Sequence, residues 1–338
     1  MPSLLSHSSS LEWLRSVPPQ VDWSHHPSAD VDVSQLRECR GLRDYPALQA
    51  LGFSALPLHF LVPQNLHQTR QRAAKLHRTA IKSIPADLVR EIEPGIFVSG
   101  PELCFIQMAS TVSLVGAVVL GHELCGTYSH FARMASGFYE RLALTSVEKI
   151  EDAIERLEGM RGLSHARQAL RWVRNGSASP METVISCMLC LPTSMGGFGK
   201  RAPELNCRQE LDEVARRITG TAYAKVDTGY PDKKVGLEFD GRDYHRDAEK
   251  DRSRREALAH EGWTIYVMNV DEATTYDELR NKVDLMGDVP KAGKLGEVDP
   301  QLGRNLLDRL LHATRFGLGL NGTLFGVAVA KGKVKLHV

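Results

Sequence analysis

The stretch Lys225-Val-Asp-Thr-Gly-Tyr-Pro-Asp-Lys-Lys-Val-Gly-Leu-Glu-Phe-Asp-Gly-Arg-Asp-Tyr-His245 decides how the chain is read. Val235, Leu237 and Phe239 alternate with Gly236, Glu238 and Asp240, the period-two pattern of a half-buried strand. Before it, Val226 shares a face with Ala224 and Thr228, leaving Lys225, Asp227 and Gly229 on the other. Tyr230-Pro231-Asp232-Lys233 is turn chemistry, because Pro presets the first central torsion and Asp tolerates the second. The stretch predicts a β-hairpin. Cross-strand partners share a face, so Asp227 lies opposite Gly236, Glu238 or Asp240, and a tight turn centred on Asp232 and Lys233 selects Glu238. The two β-carbons are then about 5 Å apart, with Asp240 one pleat, about 7 Å, further along. Three acids on so small a surface repel each other unless a cation joins them.

The rest of the composition is ordinary. The chain has 338 residues, 42% hydrophobic and 25% charged, with net charge +1, so only local patches can attract a polyanion. The length suits two domains. Cys39, Cys104, Cys125, Cys187, Cys190 and Cys207 show no framework spacing, which suits a reducing cytoplasm. The start, Met-Pro-Ser-Leu-Leu-Ser-His-Ser-Ser-Ser, lacks the basic and apolar regions of a signal peptide. The most apolar window, Ile106 to Leu120, is interrupted by polar residues and falls short of the roughly 20 residues a bilayer span requires. It reads as a buried helix. Cys187 and Cys190 have zinc-type spacing without a second pair, so both sulfurs are expected to pack inside a helix.

Along the chain, residues 1 to 45 read as loosely ordered, with a short helix around Leu11 to Val17, and residues 47 to 63 as a helix followed by a strand. Asn65 to Lys82 is basic (Arg70, Arg72, Lys75, His77, Arg78, Lys82) and reads either as a nucleic-acid contact or as a solvated face. Ile96-Phe-Val begins a strand, and Ser-Gly-Pro-Glu at 99–102 opens a helix. Thr145-Ser-Val-Glu opens another with a capping-box pattern, and Ser164 to Arg174 carries a third. From Ser179 the predicted order is helix, strand around Leu205, hairpin, basic helix from about Arg246 to His260, and strand from Thr264. A helix through Leu306, Leu307, Leu310 and Leu311 and a late strand close the chain.

This order, and the residues on it, resemble the PD-(D/E)XK, or restriction-endonuclease-like, nuclease superfamily. The branch it is most similar to surrounds the very-short-patch-repair endonuclease and uncharacterised domains of bacterial defence proteins. The matching residues are Ser179-Pro-Met-Glu182, Val226-Asp227, Tyr230-Pro231, Leu237-Glu238-Phe239-Asp240-Gly241, His245, Asp251 with Arg254 and Leu258, and Gly262-Trp263. They span about 177 to 285, under a third of the chain. More weakly, His77-Arg78 and the run from Gly95 to Ala109 resemble the partner region of abortive-infection-type and toxin–antitoxin-type proteins, which implies phage defence, a toxin–antitoxin-like system or a related genome-guarding role.

The resemblance implies an α+β fold. An α-rich domain over 1–175 precedes a nuclease-like domain over 176–285, whose mixed central sheet is flanked by helices, and 286–338 holds a linker, a helix and a strand. It implies a Mg²⁺- or Mn²⁺-dependent endonuclease acting on DNA, with RNA as the alternative substrate. Asp227, Glu238 and the Phe239 carbonyl would hold the metal, and Glu182 would complete the cluster. The superfamily lysine two residues after the Glu is replaced by Asp240. His245 then stands as general base or transition-state stabiliser, with Asp240 orienting it or joining the metal site. Arg246, Lys250 and Arg254 are the expected phosphate contacts, although Arg254 also has Asp251 within helical reach. The missing lysine leaves a second reading, a degenerate nuclease fold that binds nucleic acid or neutralises a partner without catalysis.

Overall fold

The computed structural model describes residues 2–16, 29–37, 53, 57–66, 73–130, 137–241, 248–287, 289 and 298–316. It is an α+β protein with mixed sheets. Among the described residues, no helix is long and apolar enough to cross a membrane.

The first half contains β1 (Ser3–Leu5), α1 (His7–Ser16), β2 (Val31–Asp32), β3 (Leu58–Pro63), β4 (Ala74–Thr79), β5 (Ser83–Ile84), β6 (Val89–Glu93) and β7 (Ile96–Ser99). There follow α2 (Pro101–Ala109), α3 (Leu114–Cys125), β8 (Tyr128–His130), β9 (Phe138–Glu140), α4 (Val147–Arg156) and α5 (Leu163–Leu170). Beside its helices this region carries a five-stranded sheet in the order β4-β3-β1-β7-β6, which the sequence pattern does not assemble. Its central strand is β1, antiparallel to β3 and parallel to β7, with Leu4 and Leu5 fully buried. The loosely ordered start expected from its Ser and His content is therefore, over residues 2–16, part of the core. Its polar atoms find partners: the Ser10 hydroxyl donates to the Leu5 carbonyl, and the Ser9 hydroxyl accepts from the His59 N–H. The basic residues Lys75, His77 and Arg78 lie on β4, whereas Arg70 and Arg72 fall outside the described residues.

The apolar window from Ile106 to Leu120 also differs from expectation, being two helices rather than one. The Ser110 and Thr111 hydroxyls donate back to the Gln107 and Met108 carbonyls, ending α2, and Ser113 caps α3 by accepting from the Gly116 N–H. The cap of α4 shifts by one residue. Ser146 accepts from the Lys149 N–H, while the Thr145 hydroxyl donates to Glu102.

The second half contains α6 (Pro180–Cys190), β10 (Glu204–Glu210), α7 (Glu213–Thr219), β11 (Tyr223–Tyr230), β12 (Val235–Asp240), α8 (Ala248–His260), β13 (Thr264–Asn269), α9 (Val270–Thr274), α10 (Tyr276–Leu285) and α11 (Pro300–Phe316). Apart from the short α7, the order from α6 to β13 is the expected one. The sheet order is β10-β11-β12-β13, with β10, β11 and β12 antiparallel and β13 parallel to β12. The late strand expected near Val338 lies outside the described residues.

Both faces of this sheet are covered. Tyr230, Leu237 and Met268 join a core that also contains Leu4, Phe105, Leu120 and Ile150 from the first half and Leu310 from α11. Cys207, Val226, Ala257, Leu258 and Trp263 form a separate cluster with α7 and α8. Cys187 and Cys190 are buried in α6, where the Cys190 thiol faces the Trp172 carbonyl.

The hairpin register is as predicted: Tyr230 pairs with Val235, Gly229 with Gly236 and Thr228 with Leu237. The ladder ends there, so the expected pairing of Asp227 with Glu238 is not part of it, and Asp227 reaches the Phe239 N–H instead. The face assignment needs a correction. A Cβ on Gly236 would lie 2.4 Å from Val226 Cγ1, and one on Gly229 would lie 2.5 Å from Cys207 Sγ, so Val226 shares a face with Gly229. Strict alternation would put them on opposite faces, so it slips by one residue between them. On the neighbouring strand Asn206 adopts φ 48°, a left-handed conformation Asn tolerates better than most residues. The two opposed glycines leave the space that Val226, Cys207 and Trp263 fill. Gly236→Ala should therefore overpack this cluster and lower the unfolding free energy in urea by about 1–3 kcal/mol. An unchanged urea midpoint would show that the cluster has room to spare.

Candidate carboxylate site

The helix α6 begins where Ser179 caps it by accepting from the Glu182 N–H at 3.2 Å, with Pro180 in the first turn. That cap aims the Glu182 side chain back over the helix start. Its Oε2 accepts from the Ala178 N–H at 2.8 Å and from Asn206 Nδ2 at 2.6 Å. Asn206 also donates to the Gly176 carbonyl, so it staples the start of α6 to β10. Glu182 is thus a capping residue and a member of the acid cluster together. It is only 7% exposed, and burial, followed by the charge of Asp227, pushes its pKa up to about 8.

Asp227 sits where the β11–β12 ladder opens. Its Oδ2 accepts from the Phe239 N–H at 3.1 Å. Burial raises its pKa above the usual aspartate value, against the pull of that N–H and of Arg254. Glu238, 3% exposed, follows on β12. Its Oε2 accepts from Arg254 at 3.2 Å, and its Oε1 is buried with no hydrogen-bond partner. Burial pushes its pKa up to about 7, with Arg254 opposing and Asp227 reinforcing the shift.

Arg254 on α8 faces this group, and the neighbouring Arg255 adds positive charge near Glu238. Besides Glu238, Arg254 reaches the Lys225 carbonyl at 3.3 Å and Asp251 at 3.6 Å. Acting as a phosphate contact would require it to release Glu238. Lys250 is exposed on the same helix. Asp240 ends β12 and is exposed, and Phe239 is partly buried. His245 and Arg246 lie outside the described residues. The cluster therefore consists of Glu182, Asp227 and Glu238 with Arg254, and Asn206 holds Glu182 in place. Neither the role of Asn206 nor its left-handed backbone is signalled by the sequence beyond the conformational tolerance of Asn.

Among the described residues, no group of three or more His, Cys, Asp or Glu side chains is arranged to enclose a metal ion. The donors nevertheless suit a hard divalent cation. They are carboxylate oxygens, one of them buried and unpartnered, on groups whose ionisation is suppressed without a nearby positive charge.

This arrangement has a thermodynamic sign. Glu182 and Glu238 bind protons more tightly folded than unfolded, so the stability they contribute is present below the ordinary glutamate value of 4.5 and is lost as pH rises through about 7 and about 8. Urea unfolding of metal-free protein should show stability falling between pH 5.5 and pH 8.5. Glu182→Gln and Glu238→Gln should each flatten that decline. Equal slopes in wild type and both variants would mean the carboxylates are not desolvated as described. Comparison with protein-family models, with curated proteins and with solved structures finds no match for this chain, so the reading of the cluster rests on its own geometry.

Proposed function

We propose that the protein is a metal-dependent nuclease of the PD-(D/E)XK type that hydrolyses phosphodiester bonds, with DNA as substrate. The observation that carries this reading is that Glu182 on α6 and Glu238 on β12 are both buried within electrostatic reach of Asp227 on β11, with Glu238 Oε1 buried and unpartnered. Structural surface acids are solvated, whereas burial raises the pKa of all three of these. The order of α6, three antiparallel strands, α8 and a parallel β13 supports it as well.

In this reading Asp227 and Glu238 hold Mg²⁺ or Mn²⁺, with the Phe239 carbonyl as a further donor. When bound, the cation polarises the scissile phosphate and favours ionisation of water. Glu182 carries a proton at neutral pH, so its carboxyl can donate or accept one at the edge of the site. Arg254 neutralises Glu238 while the site is empty and becomes available to a phosphate oxygen once another cation engages that carboxylate. His245 and Asp240 take the place of the family lysine. The role in phage defence belongs to the same proposal.

A second reading is favoured by one observation: the residue two positions after Glu238 is an exposed acid, Asp240. A nuclease fold kept for binding alone would tolerate that change. The two readings separate by assay. Purified protein with Mg²⁺ or Mn²⁺ should cut plasmid DNA, and Asp227→Asn or Glu238→Gln should lower the rate at least 100-fold while leaving the protein folded. RNA tested in parallel fixes the substrate. Folded wild type that cuts neither nucleic acid, and whose calorimetric metal binding matches that of Asp227→Asn, would remove the nuclease reading.

A further inference from the structure

A second polar site lies in the first half of the chain. A cavity of about 390 Å³ opens between β4, the start of α1, the end of α2 and the segment before α5. Its size is that of small-molecule sites in general, about 300–1,000 Å³. Lys75, Arg78 and Arg161 line it, and none of the described lining residues is Asp or Glu. All three cations are exposed at its rim. A concave wall carrying one sign of charge focuses the field on whatever enters.

Inside, Gln107 is 1% exposed and its amide is half used. Its Oε1 accepts from the His7 N–H at 3.0 Å, which fixes the orientation, and its Nε2 is buried with no partner. Gln107 lines the cavity, and a buried amide donor without a partner is complementary to an anionic oxygen. His7 is held in the left-handed region at φ 50°, an uncommon conformation for a residue other than Gly. That conformation accompanies the seating of its ring on His77, with centroids 3.4 Å apart and planes within 15°. Backbone strain kept at a cavity wall points to function rather than to packing alone.

The histidines do not make this a metal centre. The lone pairs of stacked, nearly parallel rings run side by side in separate planes and do not converge on one ion. His77 Nε2 is also within hydrogen-bond distance of His59 Nδ1, at 3.1 Å. Burial, then the neighbouring His59, Lys75 and Arg161, pushes His77 down to about 3, so the ring is neutral and the positive field comes from the rim.

We propose that this cavity binds the phosphate of a nucleotide, either free or at the end of a nucleic-acid strand. Lys75 and Arg161 would supply charge and Gln107 Nε2 a directed hydrogen bond. The site is independent of the carboxylate cluster and needs no metal. The test uses the full chain in EDTA and compares binding of a 5′-phosphorylated oligonucleotide with its 5′-hydroxyl form, and of a mononucleotide with its nucleoside. Wild type should bind the phosphorylated member of at least one pair tenfold tighter or better. A preference in the oligonucleotide pair alone assigns a strand end, one in the mononucleotide pair alone assigns free nucleotide, and one in both assigns the phosphate itself. Lys75→Ala with Arg161→Ala, both at exposed positions, should abolish the preference without lowering the melting temperature. Gln107→Met removes the amide donor and should also abolish the preference, with circular dichroism confirming that the variant is folded. Absence of any phosphate preference in wild type, its persistence in both variants, or its loss in Glu238→Gln would overturn the proposal.

Discussion

Burying carboxylates is the constraint on which the second half of this protein turns. A carboxylate taken out of water must be paired, hydrogen-bonded or protonated, and of Glu182, Asp227 and Glu238 it is Glu238 that is ion-paired, to Arg254. The hydrogen bonds that exist are local and directional: Ala178 N–H and Asn206 to Glu182, Phe239 N–H to Asp227, Arg254 to Glu238. They fix where each acid points without supplying enough positive charge to ionise all of them. Protons make up the difference, which is why the two glutamates titrate near neutral pH.

The fold around the cluster serves to hold these groups close together. The α6 helix packs on β11 on one side and on α3 and α11 on the other, so the element carrying Glu182 is anchored in the same core as the first half of the chain. The opposite face of the sheet is closed by α7 and α8, which brings Arg254 over Glu238. Gly229 and Gly236 let Val226, Cys207 and Trp263 pack tightly beneath the strands. A comparison with the buried pair of Arg15 and Glu123 is instructive. There, two hydrogen bonds of 2.8 and 2.6 Å from one guanidinium, with Arg141 and His130 adding charge, outweigh burial and hold Glu123 down to about 2. Two arginines and the His130 N–H serve that single carboxylate, whereas beside Glu238 the charges of Arg254 and Arg255 do not outweigh burial.

The hairpin was legible in the sequence because two local signals agreed: period-two alternation in Val235–Asp240 and turn chemistry at Pro231-Asp232. Together they fixed the register from Tyr230 and Val235 to Thr228 and Leu237, next to the strand positions of Asp227 and Glu238. The slip between Val226 and Gly229 was not legible, because it depends on a left-handed Asn206 in a different strand. The five-stranded sheet escaped notice for another reason. Its strands run from three to six residues, and β1 is buried by tertiary pairing with β3 and β7, with no alternation to betray it. Arg254 was legible as a helical partner of Asp251, but its contact with Glu238 spans elements the sequence cannot align.

The residue two positions beyond Glu238 bears on the same charge balance. A lysine there would place a second fixed cation beside the carboxylates and, with Arg254, favour their ionised forms whether or not a metal is present. Asp240 instead adds negative charge at a position exposed to water, where an ionised acid costs little. The charge of the buried group is thus left to exchangeable species, protons or a divalent cation, and to a guanidinium that must move if Glu238 is to bind anything else. That makes the site a poor permanent ion-pair network and a good place to take up a positive charge from solution.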